Sequence, residues 1–326
     1  MKRKLVSIFI ATAFLMSIFT GCTPKANKEE GKDMIKEEEN KITVIATLFP
    51  QYDFAREIVG DRGEVVMLMD PGVESHTYEP TPADIIKINK SDLFIYTGEY
   101  METWAKTIID SIDNSDIKVL DVSKNIHLDE SEDHDHEEEE DHEHESEGHN
   151  HLYDPHIWTS PINAKVMVDN ILESLCTIDP DNAEYYKENA NNYKSELDKL
   201  DEEFRTIVQN GARKEIIFAD KFAMHYFAKE YGLDYEAAFD SCSEDAEPSV
   251  RKVAELTNEI KKENIPVVYY GELSSTKVAE AISDETGAKI LQLHSCHNVS
   301  KDDFKNGVTY ISLMKQNAEN LKAGVN

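Results

Sequence analysis

Short β-branched runs alternate with segments of helical periodicity in two separate stretches of this chain. The β-branched runs end at Gly, Pro or Asp, as buried strands commonly do, and apolar residues recur at helical spacing between them. Strands that alternate with helices predict a parallel sheet covered on both faces. The strands are predicted near 41–49, 64–69, 92–98 and 117–123 in the first stretch, and near 215–220, 233–239, 266–272 and 289–293 in the second.

One long amphipathic segment separates the two stretches. From Asn182 to about Gln209, apolar residues recur at spacings of three, four and seven, which predicts a single helix of about 25 residues. Asn210 and Gly211 end the segment, as Gly commonly does just past a helix. The apolar positions are Tyr186, Tyr193, Leu197, Leu200, Phe204 and Val208.

Together these patterns predict an α/β fold of two lobes, each a parallel sheet flanked by helices, joined by one long backbone helix. Roughly 285 ordered residues exceed what one hydrophobic core usually covers. In open parallel sheets, ligands bind beyond the carboxyl ends of the strands, so the cleft between the lobes is the expected site. The predicted parts are a signal peptide at 1–21, a disordered tether at 22–40, an N-terminal lobe at 41–162, linking helices at 163–210 and a C-terminal lobe at 211–326.

The N-terminus has the order of a bacterial lipoprotein signal. Basic residues at 2–4 precede an apolar stretch at 5–19 that is too short for a comfortable membrane span. Small residues then precede Cys22 and resemble a lipobox, with Phe19 where that box usually has Leu. We expect a diacylglycerol on Cys22, which would anchor the chain at the extracellular face of the cytoplasmic membrane. An ordinary secretory signal with an incidental cysteine is the alternative.

The charge balance restricts the class of partner. The chain has 34 Lys and Arg residues against 65 Asp and Glu residues, a formal net charge of −31. Nucleic acid binding depends on the neutralisation of phosphates by basic side chains, so this balance argues against a nucleic acid partner. It suits a solvated extracellular protein that attracts cations.

Acidic residues and histidines dominate the stretch 129–151, which contains almost no apolar side chain. Such a composition cannot form a packed core. Histidine-rich tracts offer many imidazoles to a divalent metal, so we interpret this stretch as an auxiliary metal-capture loop. A solvated acidic loop is the alternative. Its histidines are His134, His136, His142, His144, His149 and His151.

Three histidines outside that loop lie at strand exits or just before helices: His76, His156 and His294. A single loop histidine is more often a surface residue than a ligand, but all three would point into one cleft between the lobes. Zinc takes about four ligands near 2.0–2.2 Å and binds neutral imidazole well. Three histidines with one oxygen would therefore form a competent zinc site.

Five stretches resemble the zinc/manganese substrate-binding lipoproteins of bacterial ABC importers. The resemblance implies two α/β lobes on a rigid helix, with the metal between them and with His76 and His156 as ligands. It also implies delivery of the ion to the membrane permease of an ABC importer, and we expect the chain to be a monomer. The family commonly has an acid after the last strand, and His294 takes that ligand role here. The stretches are PGVESHTYEPTPADI, TGEYMETW, DPHIWTSP, HYFAKEYGL followed by AEPS, and TYISLMKQNAENLKAG.

One departure from the family pattern concerns the third ligand. Where the family usually has His or Glu, this chain has Lys221, and a protonated lysine has no lone pair to donate. Asp220 is therefore a candidate fourth ligand, with a bound water as the alternative. His297 is expected to face solvent or to support a ligand, and Glu272 to hydrogen-bond a ligating imidazole.

The cysteines after Cys22 are Cys176, Cys242 and Cys296, an odd number that permits one bridge at most. We expect a disulfide between Cys242 and Cys296, which both fall in irregular stretches. Cys176 lies in an apolar helical pattern, where a free cysteine behaves as a small hydrophobe. A metal–thiolate role for Cys242 or Cys296 is the competing interpretation.

A site with three nitrogen ligands favours Zn²⁺ over Mn²⁺, which prefers oxygen-rich shells. The predicted function is high-affinity capture of zinc outside the cytoplasm and its delivery to an importer, with no catalysis. The alternatives are a zinc-dependent surface hydrolase, for which three histidines and water also suffice, and a surface adhesin or metal buffer on the same fold.

Overall fold

The computed structural model describes residues 41–73, 75, 78–112, 114–130, 153–239 and 248–326. These residues belong to one unit that extends from Lys41 to Asn326. Several predicted features lie outside the described residues: the signal peptide, Cys22 and its tether, His76, Cys242 and the six histidines of the auxiliary loop.

The N-terminal lobe is a parallel sheet of four strands in the order β2-β1-β3-β4. Val44, Ile45 and Ala46 of the central strand are buried, as expected for a parallel strand covered on both faces. The strands are β1 (Ile42–Ala46), β2 (Gly63–Met67), β3 (Leu93–Tyr96) and β4 (Lys118–Asp121), and the helices between them are α1 (Phe49–Val59), α2 (Pro82–Ile88) and α3 (Ala105–Asp110).

Two long helices follow the N-terminal lobe: α4 (Pro161–Ile178) and α5 (Ala183–Asn210). The hydroxyl of Ser160 caps α4 by accepting a hydrogen bond from the backbone of Asn163. The 28 residues of α5 confirm the predicted backbone helix, and every apolar position predicted for its inner stripe is buried.

The C-terminal lobe repeats the first sheet, with strand order β6-β5-β7-β8 and all pairs parallel. The predicted fold class is therefore confirmed. The strands are β5 (Glu215–Lys221), β6 (Asp234–Phe239), β7 (Val267–Tyr270) and β8 (Lys289–Gln292), and the helices are α6 (His225–Tyr231), α7 (Val250–Glu263), α8 (Lys277–Thr286), α9 (Lys301–Lys305) and α10 (Tyr310–Val325).

One large hydrophobic core is shared by both sheets, the two linking helices and α10. Trp158, Phe204 and Tyr310 are among its fully buried members. Each sheet also has one smaller core on its opposite face. This core lies against α2 and α3 in the N-terminal lobe and against α7 and α8 in the C-terminal lobe. Because close-packed interiors deform little, the shared core fixes the loops at the strand ends.

Two helices begin later than the sequence predicts. The helical spacing that follows Gly98 predicts a helix from Tyr100, but the helix begins at Ala105, and the Glu102 carboxylate accepts hydrogen bonds from the backbone of Thr97 and Gly98. The helical spacing between β5 and Gly232 likewise predicts a helix from Phe222, and that helix begins at His225. Within the described ranges, none of the helices combines the length and apolarity that a membrane crossing needs.

Candidate metal centre

His156 is fully buried just before a short 3₁₀ turn, Ile157–Thr159, and Asp154 holds its ring in place. The Asp154 carboxylate accepts hydrogen bonds from the backbone N–H of His156 at 2.8 Å and from ring atom Nδ1 at 3.0 Å. Burial acts to raise the pKa of Asp154, but the nearby His156 ring and these hydrogen bonds outweigh it and lower the pKa. With its proton on Nδ1, the ring presents the Nε2 lone pair, as metal-binding histidines commonly do.

A carboxylate also organises the loop that follows β8. Glu272 lies just past β7, and its carboxylate accepts hydrogen bonds from the backbone N–H of Ser295 at 2.8 Å and of His297 at 3.2 Å. The Ser295 hydroxyl donates a further bond to it. Cys296 adopts the left-handed conformation, with φ of +62°, which turns the chain sharply between His294 and His297. Glu272, which was expected to hydrogen-bond a ligating imidazole, binds the backbone of this loop and also has an oxygen 3.6 Å from Nδ1 of His294.

The turned loop brings His297 next to His156. The two ring centroids are 5.5 Å apart with an interplanar angle of 83°, and the His297 centroid is 5.6 Å from the Trp158 ring. Nε2 of His297 contacts the hydroxyl of Ser75, which directly precedes His76. His297 was expected to face solvent or to play a supporting role, but it is half-buried where three segments meet.

Two further hydrogen bonds from Trp158 and Tyr310 hold these segments together. The indole Nε1 of Trp158 donates to the backbone carbonyl of Ser295 at 2.8 Å. The Tyr310 hydroxyl donates to the carbonyl of Trp158 at 2.7 Å. All three residues are buried, so these bonds are screened from water.

His294 is buried, but its ring is engaged within its own lobe. Nδ1 accepts a hydrogen bond from the backbone N–H of Cys296 at 2.9 Å and lies 3.6 Å from a Glu272 oxygen. Asn317 exchanges two hydrogen bonds with the His294 backbone, at 2.8 and 2.7 Å. A neutral ring that accepts at Nδ1 carries its proton on Nε2, which leaves that tautomer without a lone pair for a metal. Among the described residues, His297 rather than His294 contacts His156.

The residues near the expected third ligand have other partners. Asp220, at the end of β5, accepts a hydrogen bond from the backbone N–H of Gly271 at 3.2 Å and so ties β5 to the end of β7. Lys221 is the last residue of β5. His225 lies 3.3 Å from the carboxylate of Asp129, on the side of the chain that leads into the auxiliary loop.

No group of three or more His, Cys, Asp or Glu side chains that could hold a metal converges among the described residues. His156, His294 and Asp220 are among the described residues and do not form such a group by themselves. His76, the remaining predicted ligand, lies outside the described residues.

The expected disulfide is also corrected. Cys296 is a free thiol, completely buried in the shared core, with its Sγ 3.7 Å from the carbonyl oxygen of His294. Its position within the sharp turn explains the burial, because the turn directs the side chain inward while His297 points toward His156. Cys242 itself lies outside the described residues.

The two ends of the auxiliary loop meet beside this centre. Glu130 and Tyr153 form an isolated antiparallel bridge, and the backbone N–H of Asp154 donates to the carbonyl of Asp129 at 3.0 Å. The Tyr226 hydroxyl, on α6, accepts a hydrogen bond from the Asp129 N–H and donates one to the Asp154 carbonyl. The loop therefore leaves and rejoins the fold next to the residue that orients His156.

Known proteins share this architecture. The chain is 38% identical over 323 residues to the high-affinity zinc uptake system protein ZnuA of Bacillus subtilis, covering 99% of this chain and 98% of that one. The solved Zn(II)-bound ZnuA-like domain of Streptococcus pneumoniae AdcA is 32% identical, with a TM-score of 0.72 over 87% of this chain and 99% of that domain. The chain spans about half the length of the whole streptococcal AdcA proteins, 56%.

A third similar structure has two activities in its description. It is the laminin-binding protein Lmb of Streptococcus agalactiae, described as bifunctional with adhesin and metal-transporting activity. It is 27% identical, with a TM-score of 0.73 over 87% of this chain and 100% of that one. Residues 44–324 match the sequence profile of the family described as zinc-uptake complex component A, periplasmic, and the chain therefore belongs to that family.

Proposed function

We propose that this protein captures Zn²⁺ outside the cytoplasm and delivers it to the permease of an ABC importer. The observation that carries the proposal is the position of His297, whose ring lies against His156 and whose Nε2 contacts Ser75, the neighbour of His76. The positions of Ser75, His156 and His297, two in the N-terminal lobe and one in the C-terminal lobe, thus meet at one place.

The proposed ligands are His76, His156 and His297, with His297 in the role that the sequence suggested for His294. Three imidazoles favour zinc over manganese, and a carboxylate or a water would complete a four-coordinate shell. Asp220 stays a candidate for that position. Asp154 holds His156 by the carboxylate–histidine arrangement that commonly supports zinc ligands.

The proposed function is binding and transfer, and membership of a zinc-uptake family agrees with the expectation that the chain is not an enzyme. Uptake requires an importer as partner. We further propose a lipid anchor at Cys22, an extracellular position on the cytoplasmic membrane, and a monomeric binding unit. The adhesin alternative rests on the similarity to laminin-binding proteins.

The test is a chelator-competition titration of the purified protein with Zn²⁺ and Mn²⁺. We expect one tight site that prefers zinc, and a loss of about 100-fold or more in His76→Ala, His156→Ala and His297→Ala, beyond the 10–100-fold typical of outer-shell changes. His127→Ala is the matched control, because that ring is 89% exposed. Undiminished affinity in all three site variants would end the proposal, and a larger loss in His294→Ala than in His297→Ala would reverse the choice between them.

The auxiliary loop can be tested in the same titration. Glu130 and Tyr153 are paired, so a two-residue Asn-Gly turn can replace residues 131–152 without moving the ends. We expect the shortened protein to keep its tight site and to bind fewer zinc ions under excess metal. Loss of the tight site on deletion would place the principal ligands in the loop.

A further inference from the structure

Building on the proposed function, we propose that Asn298 is a positioning residue for the metal centre. Its side chain fastens the segment that leads into Ser75 and His76 to the loop that carries His297. It would thereby set the affinity for zinc without touching the ion.

The Asn298 carboxamide joins the two lobes directly. The side chain belongs to the C-terminal lobe and is 3% exposed. Its Nδ2 donates one hydrogen bond to the carbonyl of Asp70 at 3.1 Å and another to the carbonyl of Val73 at 2.8 Å. These two carbonyls belong to the turn after β2, which the backbone N–H of Val73 closes onto Asp70.

The turn held by Asn298 lies next to the metal centre on both sides. Val73 is two residues before Ser75, a span of at most about 7 Å of extended chain. Asn298 itself directly follows His297, whose Nε2 contacts the Ser75 hydroxyl. One amide thus fixes the spacing between the His297 loop and the turn at 70–73 that precedes Ser75.

The chemistry of the side chain explains why an amide is needed here. Asn298 must present two N–H donors from one nitrogen to two carbonyl oxygens, and its Oδ1 accepts from the backbone N–H of Val299 at 2.8 Å. An aspartate has the same size and keeps the acceptor, but it offers no donors when ionised. Without the donors, zinc itself would have to draw the two segments together, and part of its binding free energy would be lost to ordering them.

Asn170 provides a matched control inside the same molecule. It is 6% exposed, lies on α4, and its Nδ2 also donates to two backbone carbonyls, those of Val122 at 3.1 Å and Lys124 at 2.7 Å. Its bonds hold the segment after β4 and touch none of the histidine-bearing segments. Loss of Asn170 therefore reproduces the structural cost of losing Asn298 without its proposed effect on the metal.

The experiment compares Asn298→Ala with Asn170→Ala in the full chain by three measurements: apo-protein Tm, zinc affinity by chelator competition, and the Co²⁺ absorption spectrum. We expect similar falls in Tm for both variants. Zinc affinity should fall about 10–100-fold in Asn298→Ala alone, the range typical for outer-shell partners of a metal site. The Co²⁺ bands should shift in Asn298→Ala and stay at the wild-type position in Asn170→Ala.

Equal zinc affinities and equal Co²⁺ spectra in the two variants would overturn the role of Asn298 and leave the proposed function standing. A wild-type protein that binds no zinc would instead remove the proposed function itself. Asn298→Asp serves if the alanine variant does not fold, and it is expected to lose affinity in the same way. Wild-type affinity in a folded Asn298→Asp protein would also overturn the proposal.

Discussion

Two glutamates, one in each lobe, lie after a strand, Glu102 after β3 and Glu272 after β7, and each organises the loop beside it. Glu102 is 2% exposed and accepts hydrogen bonds from the backbone of Thr97 and Gly98 and from the hydroxyl of Thr47. Glu272, with its side chain 9% exposed, accepts from the backbone of Ser295 and His297 and from the Ser295 hydroxyl.

The two carboxylates differ in how their oxygens share the donors. In Glu102, Oε2 accepts both backbone N–H groups, and Oε1 faces only threonine hydroxyls, which can accept as well as donate. In Glu272, each oxygen accepts one backbone N–H. The first arrangement tolerates a neutral side chain, whereas the second requires both oxygens as acceptors. Only the second loop carries a proposed zinc ligand.

The largest expected effect on zinc affinity separates these two sites. In Glu272→Gln the amide nitrogen must face a backbone N–H of Ser295 or His297, so the loop shifts and zinc affinity falls about 10–100-fold. In Glu102→Gln the nitrogen can donate to the threonine hydroxyls, and the affinity should stay within about threefold, or about 0.6 kcal/mol. Chelator-competition titration of both variants checks the contrast, and equal losses would show that the loops are equivalent.

The next effect is the pH dependence of the unfolding free energy that Glu102 contributes. Burial raises the pKa of Glu102 to about 7 from 4.5, against hydrogen bonds that lower it. The folded state therefore holds this proton more tightly than the unfolded state, so the stability it contributes is complete below pH 4.5 and is lost as pH rises to about 7. The loss is about 3 kcal/mol, at 1.36 kcal/mol for each pKa unit.

Glu102→Gln imitates the protonated acid and should remove that loss. Urea unfolding at pH 5 and pH 8 measures it as the change in the difference between wild type and variant. A difference that stays constant between the two pH values would contradict a raised pKa at this position.

The smallest effect concerns the hydroxyl donors to the two carboxylates. Ser295→Ala and Thr47→Val each remove a hydroxyl that donates one hydrogen bond to its glutamate and accepts another, from the His297 N–H and from the Gln51 amide respectively. Each lost bond costs about 1 kcal/mol of unfolding free energy. Only Ser295→Ala should also weaken zinc binding, and by a few-fold. Chemical denaturation with zinc titration measures both quantities, and an equal change in affinity in the two variants would again remove the distinction.

The fold was predictable from the sequence because strand and helix periodicity are local. The 28-residue α5 follows from its apolar spacing alone, and the two parallel sheets follow from alternation. Asp154 and His156 lie two residues apart, so their partnership was also within reach of the sequence.

The pairing of distant loops was not predictable in this way. His294 and His297 both follow β8 and are indistinguishable by type, and the choice between them depends on the Cys296 turn and on Glu272, more than twenty residues earlier. The burial of Cys296 depends on the same turn. The one available signal was the closeness of His294 to the end of β8 at Gln292, which leaves little chain to reach across to the other lobe.

The Glu130–Tyr153 bridge holds two chain positions side by side, so any sequence inserted between these two residues begins and ends at fixed, adjacent points of the fold. A peptide inserted there would be attached three residues before His156, and the strands and helices of the fold would keep their positions. The Glu130–Tyr153 bridge is therefore a suitable insertion site for an engineered reporter of metal binding.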